Sequence, residues 1–180
     1  MKKVLSLVLA LVLAFGVLAS VPYGENAFDF LRIEANAASG DLTFYFQEDD
    51  LTYAVTRCSS NARGAIEIPY LYNGYPVTEI WDSAFANCSN LQAVVIPDSV
   101  TEIGALAFYQ CTNLKDLELS DALVSIDMRA FQECTSLESV TIPNGVQSIC
   151  LGTFSSCISL VSVNLPENLM YIAGEAFMNC

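Results

Sequence analysis

The stretch LQAVVIPDSVTEIGALAFYQC, Leu91 to Cys111, is the unit on which the chain is built. Its phenylalanine, Phe108, recurs at an interval of 23 residues as Phe85, Phe131, Phe154 and Phe177. Three residues after each stands a cysteine: Cys88, Cys111, Cys134, Cys157 and Cys180. Other columns keep the same register. They hold Leu91, Leu114, Leu137 and Leu160, then Val94, Leu117, Val140 and Val163, then Ile96, Leu119, Ile142 and Leu165. Pro97, Ser120, Pro143 and Pro166 follow, and after them Val100, Leu123, Val146 and Leu169. Ile103, Ile126, Ile149 and Ile172 form the next column, and Ala84, Ala107, Ala130, Thr153 and Ala176 precede the phenylalanines. A constant period of this length is the mark of a solenoid, in which each repeat is one coil stacked on the last.

Within one coil, V-x-I alternates with a period of two, as a strand with one buried face does. The proline after it has no N–H for a sheet ladder and ends the strand. V-x-x-I returns the chain, and A-F-x-x-C suits a helical or 3₁₀ turn with Ala, Phe and Cys facing inward. A single coil has too little apolar surface to order itself, and stacking supplies the rest. The expected fold is a repeat solenoid of 23-residue period. A parallel sheet forms its concave side, with short strands and helical or 3₁₀ turns on the other faces.

The combination I-P, V-x-x-I, A-F and Cys three residues after Phe resembles the BspA-like leucine-rich repeats, over about Ile66 to Cys180. The resemblance implies a curved parallel-sheet solenoid. It also implies a bacterial surface or secreted protein of the kind associated with adhesion and protein binding. One column departs from the family's pattern. Where glycine often follows the second isoleucine, this chain has Trp81, Gly104, Asp127, Cys150 and Ala173, so a strictly left-handed backbone is not expected there.

The ends differ from the repeats. Lys2 and Lys3 precede an apolar run from Val4 to Ala19, the pattern of a signal peptide. Residues 1–37 are assigned to it, with small-x-small cleavage positions after Ala19 and after Ala37; the alternative is an uncleaved N-terminal anchor. Residues 38–65 lack the repeat and are expected to form a small β cap. Leu42–Phe46 and Leu51–Val55 would be its strands, joined by Gln47–Asp50. Residues 66–180 are the repeat region. Its first coil carries an insertion, Tyr70 to Pro76, with an Asn73-Gly74 turn. The chain stops at Cys180 in mid-coil, which reads as a truncated repeat.

From Ala38 onward the basic residues are Arg57, Arg63, Lys115 and Arg129, against seventeen acids, so the net charge of −13 sits in this part. Such a surface is unsuited to nucleic acid, whose phosphates need Lys and Arg. It is suited to solubility and to basic partners. No membrane insertion is expected once a signal peptide is removed.

Five of the seven cysteines share one column. Stacking makes their Cβ vectors parallel, which does not favour disulfides. A ladder of buried thiols is the preferred reading and paired disulfides the alternative. Cys58 and Cys150 lie outside the column. There is no histidine, so Cys–His and Ser–His catalysis and a Cys/His zinc site are excluded. No catalytic residue, metal or cofactor is expected, and Glu48-Asp49-Asp50 lacks the spacing of a calcium loop.

What remains for function is the outward face of the V-x-I strands. Ala93 and Val95, Asp116 and Glu118, Ser139 and Thr141, Ser162 and Asn164 would lie side by side as a concave strip that changes from coil to coil. The rim residues Asp98, Asp121, Asn144 and Glu167 extend it. A protein ligand, with adhesion to host or neighbouring cells as one outcome, is the expected partner. The competing reading is a structural spacer or accessory module of a larger surface protein. Tyr70, Tyr72, Tyr75 and Trp81 would cover the first coil or form a contact patch.

Overall fold

The structure, a computed structural model, describes residues 41–180. The signal-peptide assignment and both cleavage positions lie outside them. Among the described residues no helix is long and apolar enough to cross a membrane.

The described residues open with a hairpin. β1 (Leu42–Gln47) and β2 (Thr52–Cys58) pair antiparallel, with a bulge between Thr43 and Phe44. The link carries Glu48, Asp49 and Asp50, all exposed. β3 (Gly64–Glu67) starts the repeats, and β4 (Leu71–Tyr72) folds back onto β5 (Tyr75–Ile80) across Asn73-Gly74. Both turn residues have positive φ, 49° and 85°, as a two-residue hairpin requires. Thereafter each coil supplies two strands. One is the V-x-I strand: β6 (Leu91–Val95), then β8 (Asp116–Glu118), β10 (Ser139–Thr141) and β12 (Ser162–Asn164). The other is the return strand: β7 (Glu102–Ile103), β9 (Ser125–Ile126), β11 (Ser148–Ile149) and β13 (Tyr171–Ile172).

The stack is therefore a parallel β-solenoid. β3, β6 and β8 form one parallel ladder, and β10 pairs with β12. β2, β5, β7 and β9 form a second, and β11 pairs with β13. The hairpin enters through β2, and so extends the return-strand sheet rather than the V-x-I sheet. Its aromatic side chains close over the inserted segment. Phe44 stacks on Tyr72 at 4.0 Å, Phe46 meets Tyr75 at 5.1 Å, and Tyr45 meets Trp81 at 5.1 Å. Tyr72, Tyr75 and Trp81 thus contact the hairpin's aromatics, although Tyr75 and Trp81, like Tyr70, remain exposed.

The core is the set of columns. Phe85, Phe108, Phe131 and Phe154 are fully buried and stack face to face, with centroids 4.6, 5.1 and 5.4 Å apart and planes within 14°. Thr153 breaks the alanine column without leaving a buried hydroxyl unpaired, since its Oγ1 donates to the Cys150 carbonyl at 2.9 Å.

The A-F-x-x-C segment differs from the expected helical or 3₁₀ turn. Its hydrogen bonds alternate in direction. The N–H groups of Ala84, Ala86 and Cys88 donate within the coil, to the carbonyls of Trp81, Ser83 and Phe85. Those of Ser83, Phe85 and Asn87 donate along the stack, to Ala105, Ala107 and Tyr109. A helix directs every N–H back along its own segment; here half are claimed by the next coil. The alternation is accompanied by left-handed residues on either side of each phenylalanine. They are Ser83, Leu106, Arg129, Gly152 and Glu175 before it, and Asn87, Gln110, Glu133, Ser156 and Asn179 after it. The column after the second isoleucine is not left-handed, in keeping with its residue types.

A non-glycine residue in this conformation carries strain of roughly 1–2 kcal/mol, of which glycine's greater conformational entropy takes back about 0.5–1 kcal/mol. Ser83→Gly, at φ 59° on an exposed position, is therefore expected to stabilise the chain by ~0.5–1 kcal/mol. A urea titration should show a higher midpoint for Ser83→Gly and none for Ser83→Ala.

Candidate binding surface

Alternation along the V-x-I strands sends Val94 and Val140 fully into the core, Leu117 and Val163 partly, and their neighbours outward. Asp116, Glu118, Ser139, Thr141, Ser162 and Asn164 are exposed, and Ala93 and Val95 half-buried. The register brings them together in two groups. Ala93 pairs with Asp116 and Val95 with Glu118; Ser139 pairs with Ser162 and Thr141 with Asn164. Asn164 Nδ2 donates to Thr141 Oγ1 at 3.1 Å, so the amide and hydroxyl end of the strip is tied together. The ladder is interrupted between β8 and β10, where Ser120 stands in place of the strand-ending proline. Ser120 is fully buried, and its Oγ accepts the Ala122 N–H at 3.1 Å.

The strip is longer than the residues read from the sequence. β3 adds Ala65 beside Ala93 and Glu67 beside Val95. Burial, and then the Glu118 carboxylate, raise the Glu67 carboxyl above the usual carboxylate range. The signal for Glu67 was present: Ile66-Glu67-Ile68-Pro69 repeats the strand motif one coil early.

A concavity lies on the return-strand sheet. A groove of about 410 Å³ is walled by Glu79, Trp81, Asp82, Glu102, Ser125 and Asp127, with Gly104 on its lining. Trp81 Nε1 donates to Glu79 Oε2 at 3.0 Å, and Asp82 Oδ1 accepts the Ala105 N–H at 2.8 Å. A Cβ at Gly104 would lie 2.5 Å from Asp82 Oδ1 and 2.7 Å from the Asp82 nitrogen, so the close approach of coils here needs glycine. The periodic residue before each return-strand isoleucine, Glu79, Glu102 and Ser125, is the sequence signal for this face. Among the described residues no three His, Cys, Asp or Glu side chains are grouped to hold a metal ion.

Known proteins place this architecture. The BspA type leucine rich repeat region matches residues 65–180 in six copies. A leucine-rich repeat protein of T. pallidum is 35% identical, with TM-score 0.75, over 81% of this chain and 67% of that one. A leucine rich cell surface protein of Faecalibacterium prausnitzii is 31% identical, with TM-score 0.62, over 79% of this chain and 46% of that one. A leucine-rich repeat protein of Bacteroides capillosus is 33% identical, with TM-score 0.59, over 72% of this chain and 97% of that one. The chain thus spans two thirds of the first and under half of the second. No curated protein sequence matches it. The chain belongs to the BspA-type leucine-rich repeat family.

Proposed function

We propose that this chain is a protein-binding segment of a secreted or surface-displayed bacterial protein, and that its ligand lies along the strip from Ala93 and Val95 to Ser162 and Asn164. The observation that carries the reading is a division of labour among columns. Phe, Cys, Leu and Ile repeat unchanged in the core, whereas the outward strand pairs differ from coil to coil, Ala/Val, then Asp/Glu, then Ser/Thr, then Ser/Asn, with serine alone repeated, as Ser139 and Ser162. A fixed scaffold presenting varied residues in register is how repeat proteins recognise other proteins. The acidic centre, Asp116 and Glu118, with Glu67 on the far side of Val95, favours a basic patch on the partner. In this reading residues 1–37 direct export, residues 38–65 cap the solenoid, and adhesion to host or neighbouring cells is the biological outcome. A spacer or accessory role within a larger surface protein is the competing reading.

The test is capture of a panel of purified extracellular-matrix proteins by the full chain. Asp116→Lys with Glu118→Lys is expected to lower capture at least ~10-fold, on the scale of charge reversal at an interface centre. Glu79→Lys with Glu102→Lys, on the other sheet, is expected to leave it unchanged. Loss of capture only in the second pair would move the site to the groove. Absence of any capture would favour the spacer reading.

A further inference from the structure

The cysteine column is chemically uniform except at its first member. Cys111, Cys134, Cys157 and Cys180 each donate their S–H to the phenylalanine carbonyl of the coil before, at 3.1–3.2 Å. Cys88 has no phenylalanine before it. The position is filled by Cys58. The Cys58 N–H donates to the Ala84 carbonyl, as Phe85 donates to Ala107 and Phe108 to Ala130. Two residues separate Val55 from Cys58 and four separate Ile80 from Phe85, so the shortened coil brings a cysteine to the phenylalanine station.

There the two thiols share an acceptor. Cys58 Sγ and Cys88 Sγ each lie 3.6 Å from one oxygen, the Ser59 carbonyl, and Cys88 Sγ lies 3.9 Å from the Cys58 carbonyl. Both side chains are buried. Members of one column have parallel Cβ vectors and do not converge. Cys58 and Cys88 occupy different columns one coil apart, so that restriction does not apply to them. Their hydrogen bond with each other holds Cys88 below the ordinary thiol range, and pushes Cys58 above it. Burial pushes Cys111, Cys134 and Cys157 up instead. Cys88 is the column member suited to act as a nucleophile.

We propose that Cys58 and Cys88 are a crosslinking site, joined as a disulfide that ties the β1–β2 hairpin to the first repeat. The oxidant is a disulfide of small-molecule or oxidoreductase origin. The Cys88 thiolate attacks one of its sulfurs and expels the other as a thiolate, leaving a mixed disulfide on Cys88. Cys58 then loses its proton and attacks the Cys88 sulfur, expelling the second thiolate. Two protein thiols are oxidised, one external disulfide is reduced to two thiols, and the protons released from Cys58 and Cys88 end on those thiols. Both side chains are buried once folding is complete, so the exchange belongs to a folding stage before that burial.

The experiment folds the full chain with oxidised and reduced glutathione, and in parallel under excess reductant. Each sample is denatured, alkylated without reduction, digested and analysed by mass spectrometry. The expected result is one linked peptide containing Cys58 and Cys88, five alkylated cysteines of the seven in the oxidised sample, and all seven under reductant. The oxidised protein should melt higher by on the order of 5–10 °C. Cys58→Ser should show no linked peptide, six alkylated cysteines, and no difference in melting between the two conditions. Seven alkylated cysteines in the oxidised wild-type protein, or a linkage between any other pair, would overturn the proposal. That result is read on the wild-type chain and does not depend on the variant folding.

Discussion

Phe131→Ala is expected to destabilise the chain by ~3–5 kcal/mol, the cost of removing a large aromatic side chain from a site that cannot collapse. Phe131 is fully buried between Phe108, 5.1 Å away at 8°, and Phe154, 5.4 Å away at 5°. The cavity would open on both sides, because the neighbouring rings are held by their own coils. It cannot be filled by sliding a coil, since the Phe131 N–H bonds the Thr153 carbonyl and the Phe108 N–H bonds the Ala130 carbonyl. Coils in a solenoid contact only their neighbours, so the loss falls on two adjacent interfaces and weakens the coupling between halves of the stack. Urea unfolding followed by far-ultraviolet circular dichroism should show a lower midpoint and a broader, less cooperative transition. Tyr75→Ala is the comparison. Tyr75 is 40% exposed and meets Phe46 at the hairpin, and its loss should cost about 1 kcal/mol or less. Equal effects from the two substitutions would deny the phenylalanine stack its central role.

The columns were legible in the sequence because burial in a solenoid is set by the period alone. Each of Leu91, Val94, Ile96, Val100, Ile103, Ala107, Phe108 and Cys111 lies in the core where the repeat places it. The strip was legible for the same reason, through alternation about Val94, Leu117, Val140 and Val163. The turns were not. Left-handed stations usually announce themselves as glycine or asparagine, but here they hold Ser83, Leu106, Arg129 and Glu175, among others. Their conformation comes from hydrogen bonds to the next coil, which no single coil's sequence contains. The hairpin's place was hidden too. Two strands with no period gave no indication that β2 would join the return-strand sheet, or that Cys58 would stand at the phenylalanine station. Both follow from pairing of Val55 with Ile80, a contact between a non-repeat and a repeat. The groove arises likewise from stacking, which sets Glu79 beside Glu102 and brings Trp81 over Glu79.

The thiol ladder should make this protein unfold in mild alkali. Burial pushes Cys111 and Cys157 up to about 12, and Cys134 well above the ordinary range. In the unfolded chain the same thiols ionise at about 8.5. Between these limits the folded state holds protons that the unfolded state has released. Stability is therefore fully present below pH ~8.5 and is lost as pH rises toward 12, at about 1.4 kcal/mol per pH unit for each thiol. Three thiols together give ~4 kcal/mol per pH unit, so a rise from pH ~9 to ~10.5 removes on the order of 6 kcal/mol. That is comparable with the whole stability of a domain, ~5–15 kcal/mol. The structure adds a reason the thiolates cannot be tolerated in place. Each S–H points at a phenylalanine carbonyl, and its loss would set a buried negative charge against that oxygen. Urea midpoints measured under reductant at neutral pH and through the alkaline range supply the slope. The triple variant Cys111→Ala, Cys134→Ala, Cys157→Ala starts less stable, but its slope should be shallower by about 4 kcal/mol per pH unit, what remains coming from groups that both proteins share, Cys58 first among them. Equal slopes in the two proteins would show that the ladder is not what alkali attacks.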